Sequence, residues 1–496
     1  MERDLVIGID GGTGGVRAFV FDARGGVASQ GACAYETQYP APGHAQQQPE
    51  DWLDAAARSV RAALAGIDPA RVAALCAATT SCTVLCCAQD GRALAPAILW
   101  MDVRAAAQAR AIAEKTGQAL SAELFPCKAL WLKENEPALW ARTEVLCEYQ
   151  DYLNHWLTGQ WCFSVNTACN WAYNSRRGGF DRTFYQAIGL ADALEKVPPR
   201  AVRAGETAGV LCPGAAEALG LPAGVPVVQG GIDSSIGMLG MGVARPGAVA
   251  LMTGSSNLAM AVTPRPLFVD ESAVNSGPDF LLDGYYTSVQ GQAASGSVLK
   301  WFKRELCRDL GGDAFRELDK EAAAVPPGSG GLRVLDYWQG NRVPYNDPYA
   351  KGVIAGLTMS ATRAQMFRAV MEGVACGTQD LLQAFADRGQ AVDCVNVSGG
   401  TTRSDLFLQI HADVSGVPFR VTSDYSVALG AGIEAAVAAG WYAAPAQAAD
   451  AMVHCQKTVE PDPGRHAAYK AVLRDYRALY AGMKDKNIFG NERDST

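Results

Sequence analysis

This chain has no basic surplus. Its 43 lysines and arginines are outnumbered by 51 aspartates and glutamates, a formal net charge of −8 over 496 residues. A nucleic-acid partner needs a basic footprint and is not expected. An anion would have to be held by local backbone groups and a metal, not by a global positive field. No apolar run reaches the ~20 residues of a membrane helix. The start, MERDLVIGID, is charged and enters a strand at once, without a signal-peptide pattern. A cytoplasmic protein with no membrane partner is therefore expected. No CxxC pair occurs among the 14 cysteines, and the 5 histidines show no ligand spacing. Free buried thiols fit this pattern better than a disulfide framework or a zinc site. Low-complexity segments are lacking too. Charged residues make up only 19% against 49% hydrophobic, which argues against disorder and permits substantial cores. Length alone gives ~3 domains as a soft prior, so two large ones are permitted.

What the chain does have is concentrated in VVQGGIDSSIGMLGMGVARPGAVALMTGSS, Val227 to Ser256. An apolar run ends in a Gly-rich turn that carries one acid, Asp233. After Arg245-Pro246-Gly247 a second apolar run ends in a second small-residue turn, Thr253 to Ser256. Apolar runs bounded in this way read as buried strands. The Arg-Pro-Gly stretch falls almost midway and reads as a hinge, with a carboxylate on one side and a phosphate loop on the other. Taken alone, Asp233 would read better as a turn or helix-cap aspartate.

The company it keeps raises the functional reading. Leu5–Asp10 is an apolar strand, GGTGG (Gly11 to Gly15) a turn, and Val16–Asp22 a strand, so the glycines sit in a hairpin. Walker and Rossmann loops run instead from strand into helix. Glycine amides can still face a phosphate there, and Asp10 beside them makes sense if Mg²⁺ lies between. A helix is predicted over Pro49–Ile67, strands over Val72–Ala78 and Val84–Ala88, and helices over Lys128–Asn135 and Asp151–Gly159. In the second half, Val249–Met252, the TGSS turn and Asn257–Val262 repeat the hairpin. GQAASG enters a helix near Gly296, a long helix runs from Arg363 to Phe385, and SGGTTRSD follows a strand at Ser398. The tail from Lys484 is polar and is expected to fray. Meander strands followed by alternating helices and strands imply a mixed sheet. Three small-residue loops and two acids at strand ends are hard to explain as turns only.

These pieces resemble the FGGY family of carbohydrate kinases. The matching stretches are GIDGGTGGVR from Gly8, LWMDVR from Leu99, KALWLKENEP from Lys128, DYLNHWLTG, GGIDSSIG around Asp233, GQAASGSVLKWF, SGGTTRSDLFLQIHAD from Ser398, and ALGAG from Ala428. The resemblance implies an α/β fold of two ribonuclease-H-like (actin/Hsp70-type ATPase) domains with a cleft between them. Residues 1–244 would bind sugar and hold the catalytic base, and 245–496 would bind nucleotide. It implies ATP and Mg²⁺ as cofactors. Asp233 would be the general base that takes the proton of the sugar hydroxyl, and Asp10 would hold Mg²⁺. Gly12, Thr13 and Thr253, with Gly254 and Ser255, would meet phosphates. Gly296, Gly399, Gly400 and Ser404 would line the nucleotide site. Thr80, Ser81, Cys82, Trp100, Asp102 and Asp233 would face the sugar. Two departures stand out: MTGSS where many members have GTS, which leaves Thr253 and Ser255 as alternative phosphate contacts, and Gly15 where serine is common.

Glycerol kinases carry an Arg-Glu pair at the stretch ATTSCTV, Ala78 to Val84, and xylulokinases a Met-His pair; this chain has neither. TTSCT resembles ribulokinases, which favours a pentulose, phosphorylated at its terminal hydroxyl, with ribulose ahead of xylulose and the enantiomer open. A homodimer is expected from base rates alone. The rivals are another sugar or polyol kinase of the family and a nucleotide-gated or sugar-sensing relative without turnover.

Overall fold

The computed structural model describes residues 3–271 and 273–490. The chain forms two compact units. The first takes the chain up to Ala244 together with Thr263–Thr287 and Tyr425–His454. The second takes Arg245–Val262, Ser288–Asp424 and the chain from Cys455 onward.

The first unit is built on a six-stranded sheet. Its strands are β1 (Leu5–Gly12), β2 (Gly15–Asp22), β3 (Val27–Ala34), β4 (Val72–Thr79), β5 (Thr207–Val210) and β6 (Pro226–Val228), in the order β5-β6-β4-β1-β2-β3. β1, β2 and β3 form an antiparallel meander. β4 and β6 continue parallel to β1, and β5 closes the edge antiparallel. β1 and β4 are buried along nearly their whole length, whereas edge strand β3 alternates; strands covered on both faces read as continuous apolar runs. The helix Pro49–Ala63 covers one face with Trp52, Ala56 and Val60, spaced four apart. Pro49 opens it and Glu50 and Asp51 occupy its first turn, where they suit the helix dipole. Trp52 stacks on Tyr149 at 4.0 Å between ring centroids and donates to Gln47 Oε1 at 2.8 Å.

The other face is covered by a helix from late in the chain, Ser426–Ala438. Ile7 and Ile9 join the core under Trp52, so Gly8 between them points the opposite way. A Cβ on Gly8 would lie 1.9 Å from the Ala428 carbonyl oxygen, one on Gly240 1.8 Å from that of Ser426, and one on Gly430 1.9 Å from that of Ile236. Backbone thus meets backbone where only glycine fits. This close approach draws 425–454 into the first unit, a departure from the continuous halves 1–244 and 245–496 expected from the sequence.

A smaller sheet in the same unit orders Gln46–Gln47, Ala97–Ile98, Val84–Cys87 and Val145–Glu148 side by side. Val84 is registered with both Ile98 and Glu148.

The second unit repeats the plan. Its strands are β7 (Gly247–Thr253), β8 (Asn257–Thr263), β9 (Tyr286–Gln292), β10 (Val392–Ser398), β11 (Phe419–Val421) and β12 (Lys457–Val459), in the order β9-β8-β7-β10-β11-β12. β7 pairs antiparallel with β8 and parallel with β10. β11 is parallel to β10, and β12 is antiparallel at the edge. Two mixed sheets with one strand order are the ribonuclease-H-like arrangement. The helix Pro463–Asp485 takes in only the first two residues of the tail expected to fray, and Phe489 beyond it is buried near Tyr480; residues 491–496 of that tail lie outside the described residues. All 14 cysteines are free thiols.

Candidate active site

In the first unit the parallel strands β1, β4 and β6 end on the same side of the sheet, where ligands of open α/β sheets bind. Backbone bonds draw these ends together: Thr80 N–H to the Gly11 carbonyl and Thr79 N–H to that of Gly231, each 3.0 Å. This brings Asp10, Thr80, Ser81 and Asp233 to one place.

Asp10 lies directly across from Arg17 in the β1–β2 register. Arg17 donates to its Oδ2 through Nε at 3.1 Å and Nη2 at 2.5 Å. Asp10, expected from the sequence to face Mg²⁺, thus also has a cation within the protein, because the two-residue turn at Thr13-Gly14 fixes a register that sets Arg17 opposite it. Burial raises the Asp10 carboxyl above its ordinary value, with Arg17 opposing.

Asp233 opens the helix Asp233–Gly240, and its Oδ1 accepts the Ser234 N–H at 2.6 Å. Burial, then the charge of Asp10, pushes its carboxyl up to about 7. A general base works best with a pKa near the operating pH. The loop before it is braced by Asn166, which sequence reasoning missed. Asn166 Oδ1 accepts the Ile232 N–H at 2.7 Å, and Nδ2 donates to the Phe280 carbonyl at 3.0 Å. Gly231 is needed there, since a Cβ would sit 2.3 Å from that Oδ1.

Thr80, Ser81 and Cys82 are each under a tenth exposed. Ser81 Oγ accepts from Asn170 Nδ2 at 3.2 Å. Cys82 adopts φ +58°. Its N–H is held by Glu148 Oε2 at 2.8 Å and its carbonyl by Lys128 Nζ at 2.6 Å. Burial pushes Glu148 up to about 8 and Lys128 down to about 8. The Cys82 thiol is held well above its ordinary value by burial and the nearby Glu148, which leaves it a poor nucleophile.

Trp100 is 41% exposed, and its Nε1 donates to Thr13 Oγ1 at 3.1 Å. The Thr13 carbonyl accepts from Gln47 Nε2 at 2.7 Å, and that of Gly12 from the Tyr35 hydroxyl. Asp102 departs from its expected sugar-facing place. It is fully buried, and both oxygens are taken: Oδ2 by the Ala45 N–H at 2.6 Å and Arg104 Nη2 at 2.7 Å, Oδ1 by the Arg104 N–H and Nε at 2.9 Å. Its hydrogen bonds with Arg104 and the Ala45 N–H outweigh burial and lower its pKa. The two-residue spacing to Arg104 was the readable sign of this role.

In the second unit the β7–β8 turn docks on the helix Gly296–Leu306. The Gly254 carbonyl accepts Gly296 N–H, and the Ser255 carbonyl accepts Ser295 N–H, each at 2.9 Å. Gly399, at φ +122°, leaves only 2.0 Å between a built Cβ and the Thr253 carbonyl. Beside these loops lies a cavity of about 1130 Å³ lined by Gly254, Ser255, Gly296, Gly400 and Ser404, with apolar Leu299, Phe367 and Met371 and cationic Lys300 and Arg403. Thr253 is buried, its hydroxyl 2.6 Å from that of Thr401, while Ser255 lines the cavity. Ser404 caps the helix Asp405–Ser415 by accepting the Phe407 N–H at 3.0 Å. Of the residues expected to meet nucleotide, Gly12 and Thr13 belong to the first unit and the others to the second. Among the described residues no group of three or more His, Cys, Asp or Glu side chains could hold a metal ion by itself.

Comparison with known proteins agrees with this geometry. The chain is similar to the xylulose kinase of Staphylococcus epidermidis, 26% identical over 493 residues that cover 98% of each chain. It is similar to the ribulokinase of Anoxybacillus flavithermus, 29% identical over 553 aligned positions covering 98% of this chain and 96% of that one. The crystal structure of xylulose kinase from Rhodospirillum rubrum superposes with a TM-score of 0.86 at 27% identity, covering 98% of this chain and 100% of that one. Residues 5–240 match the FGGY family of carbohydrate kinases, N-terminal domain, and residues 249–439 match its C-terminal domain. With both domains matched in order, the chain belongs to the FGGY family of carbohydrate kinases and is an ATP-dependent sugar kinase.

Proposed function

We propose that this kinase transfers the γ-phosphoryl group of ATP to the terminal hydroxyl of a pentulose, ribulose ahead of xylulose. The observation that carries the reading is the neutral turn Thr80–Cys82 beside Asp233. Small hydroxyl and thiol side chains stand there, with Trp100 as an exposed wall nearby. Room and hydrogen-bonding groups without fixed charge suit a ketose longer than glycerol. Relatives named ribulokinase and xylulose kinase both support a pentulose.

Phosphoryl transfer passes through a loose transition state, so catalysis is chiefly positioning and charge stabilisation. Asp233 orients the acceptor hydroxyl and takes its proton late in the transfer. Amides of the Gly12–Thr13 and Gly254–Ser255 turns donate to phosphate oxygens. The apolar floor of Leu299, Phe367 and Met371 takes the base. Mg²⁺ fits at Asp10 of the first unit, since Arg17 donates only to its Oδ2. When bound, Mg²⁺ offsets charge on the β and γ oxygens. Asp10 and the phosphates would hold it. The same proposal places the enzyme in the cytoplasm as a homodimer, without nucleic-acid or membrane partners. Among the described residues no helix is long and apolar enough to cross a membrane.

The test is ADP release with a panel of pentuloses, hexuloses, tetritols and glycerol. Ribulose is expected to give the highest kcat/KM and glycerol a poor one, because sites that bond particular hydroxyls reject analogues lacking them. Glycerol or xylulose at the top would overturn the substrate reading, and sugar binding without ADP release would favour a sensor.

A further inference from the structure

We propose that Lys128 and Glu148 are positioning residues that lock the turn Thr80–Cys82 and the start of the Trp100 segment, and thereby set how tightly the acceptor sugar binds. The inference rests on the proposed reading of that turn as part of the sugar site.

Lysine and glutamate are almost never fully buried unless paired, yet both side chains are 0% exposed. They converge on the backbone of one residue. Glu148 takes the N–H of Cys82 and Lys128 its carbonyl. The second bond of each goes to a neighbouring wall of the site. Lys128 Nζ donates to the Leu99 carbonyl at 2.5 Å, one residue before Trp100, and Glu148 Oε1 accepts from Trp171 Nε1 at 2.6 Å. The small sheet explains the convergence. Val84, registered with both Ile98 and Glu148, delivers the ends of three strands to the same place.

Cys82 sits at φ +58°, a conformation that disfavours any residue with a Cβ. The turn holds it only if the surroundings over-determine it. Burying two ionisable groups is costly, and apolar side chains of similar volume would fill the space without that cost. Spending both on the two backbone groups of one strained residue implies a geometric demand. Released from them, Cys82 relaxes toward negative φ and carries the Ser81 hydroxyl out of place. The nucleotide cavity is built from other residues, so the loss should fall on the sugar.

The test uses the full chain and the best sugar of the panel. Lys128→Met should raise the KM for sugar about tenfold, the factor that matches the strain of one left-handed residue. The KM for ATP should stay within about twofold, the scatter of a substitution remote from that site. Adding Cys82→Gly should recover about threefold or more of the sugar KM, because glycine takes positive φ at no steric cost. Glu148→Gln is the second route: its one amide oxygen can accept from Cys82 or Trp171 but not satisfy both as the carboxylate does, so sugar KM should rise there too. A folded Lys128→Met with unchanged sugar KM overturns the proposal. So does a parallel decline of kcat and both KM values, or loss of soluble protein in both variants with no recovery by Cys82→Gly, since each is the mark of a merely structural pair. Ser81→Ala separates the two readings. An unchanged sugar KM in Ser81→Ala sinks the turn as sugar site. A raised one, with Lys128→Met and Glu148→Gln unaffected, sinks only the clamp.

Discussion

Acidifying the assay should silence this kinase well before it unfolds ordinary carboxylate chemistry. Asp233 must be ionised to accept a proton, and burial together with the charge of Asp10 holds its carboxyl at about 7. Below that value each pH unit removes about tenfold of the active form, so kcat/KM for sugar should stand at about a tenth of its plateau at pH 6 and about a hundredth at pH 5. An aspartate at its ordinary 3.8 would keep nearly full activity at both. ADP release at saturating nucleotide and limiting sugar reads the profile directly. Asp10→Asn should slide the acid limb to lower pH, because it removes the second cause of the shift. Asp233→Asn should abolish the limb and lower kcat by about two to four decades, the usual range for a positioned base, with ATP binding nearly intact. A flat profile down to pH 5 would refute the reasoning, as would an Asp233→Asn variant within about threefold of wild type. Linkage gives the opposite sign for stability. The folded value lies above the unfolded one, so this group's favourable contribution is complete below about 4 and is lost as pH rises through about 7. The pH that activates the base weakens the fold around it.

Three further outcomes are expected. Asp10→Ala should raise the Mg²⁺ needed for half-maximal rate more than the sugar KM, since it removes the only acid of the first phosphate turn; a Mg²⁺ titration identical to wild type would take Asp10 out of the metal site. Gly399→Ala forces a Cβ to 2.0 Å from the Thr253 carbonyl at φ +122°, so the KM for ATP should rise and thermal stability fall by about 1–3 kcal/mol or more; an unaltered melting curve would show that the loop yields freely. Glu434 is fully buried on the Ser426–Ala438 helix, neither carboxylate oxygen has a hydrogen-bond partner among the described residues, and burial raises it to about 8. Its stabilising contribution is therefore whole below about 4.5 and lost progressively as pH rises through about 8, so Glu434→Gln should gain more over wild type in melting temperature at pH 9 than at pH 6, and equal differences at the two pH values would contradict this.

Much of the catalytic geometry could be read in advance because it is local. Apolar runs ending at Asp10, Ala78 and Met252 announced strands, and the small residues after them announced loops at strand ends. Even the Asp10–Arg17 pair was latent in the hairpin, since a two-residue turn between Gly12 and Gly15 must set residue 10 opposite residue 17. What stayed hidden depends on partners distant in sequence. KALWLKEN reads as a helix, and nothing in it says that Lys128 is buried, because its acceptors are backbone carbonyls 46 and 29 residues away. Asp102 was expected to face the sugar beside Trp100, but Arg104 and the Ala45 amide claim it. ALGAG signalled close helix packing without naming Gly8 and Ile236 as its neighbours.

The return of Tyr425–His454 to the first unit has a consequence for synthesis. On the ribosome the sheet begun at Leu5 has all its strands once Val228 has emerged, but the helix that covers Gly8 is made only after a further 197 residues. At ordinary elongation rates this is about 10–40 s during which the glycine-lined face of β1 lies open to water and to other chains. Ribosomes that stall within the second unit would release a protein with a finished sheet and a missing lid. Such fragments should bind chaperones through that face, and a separately supplied 425–454 peptide should compete for it.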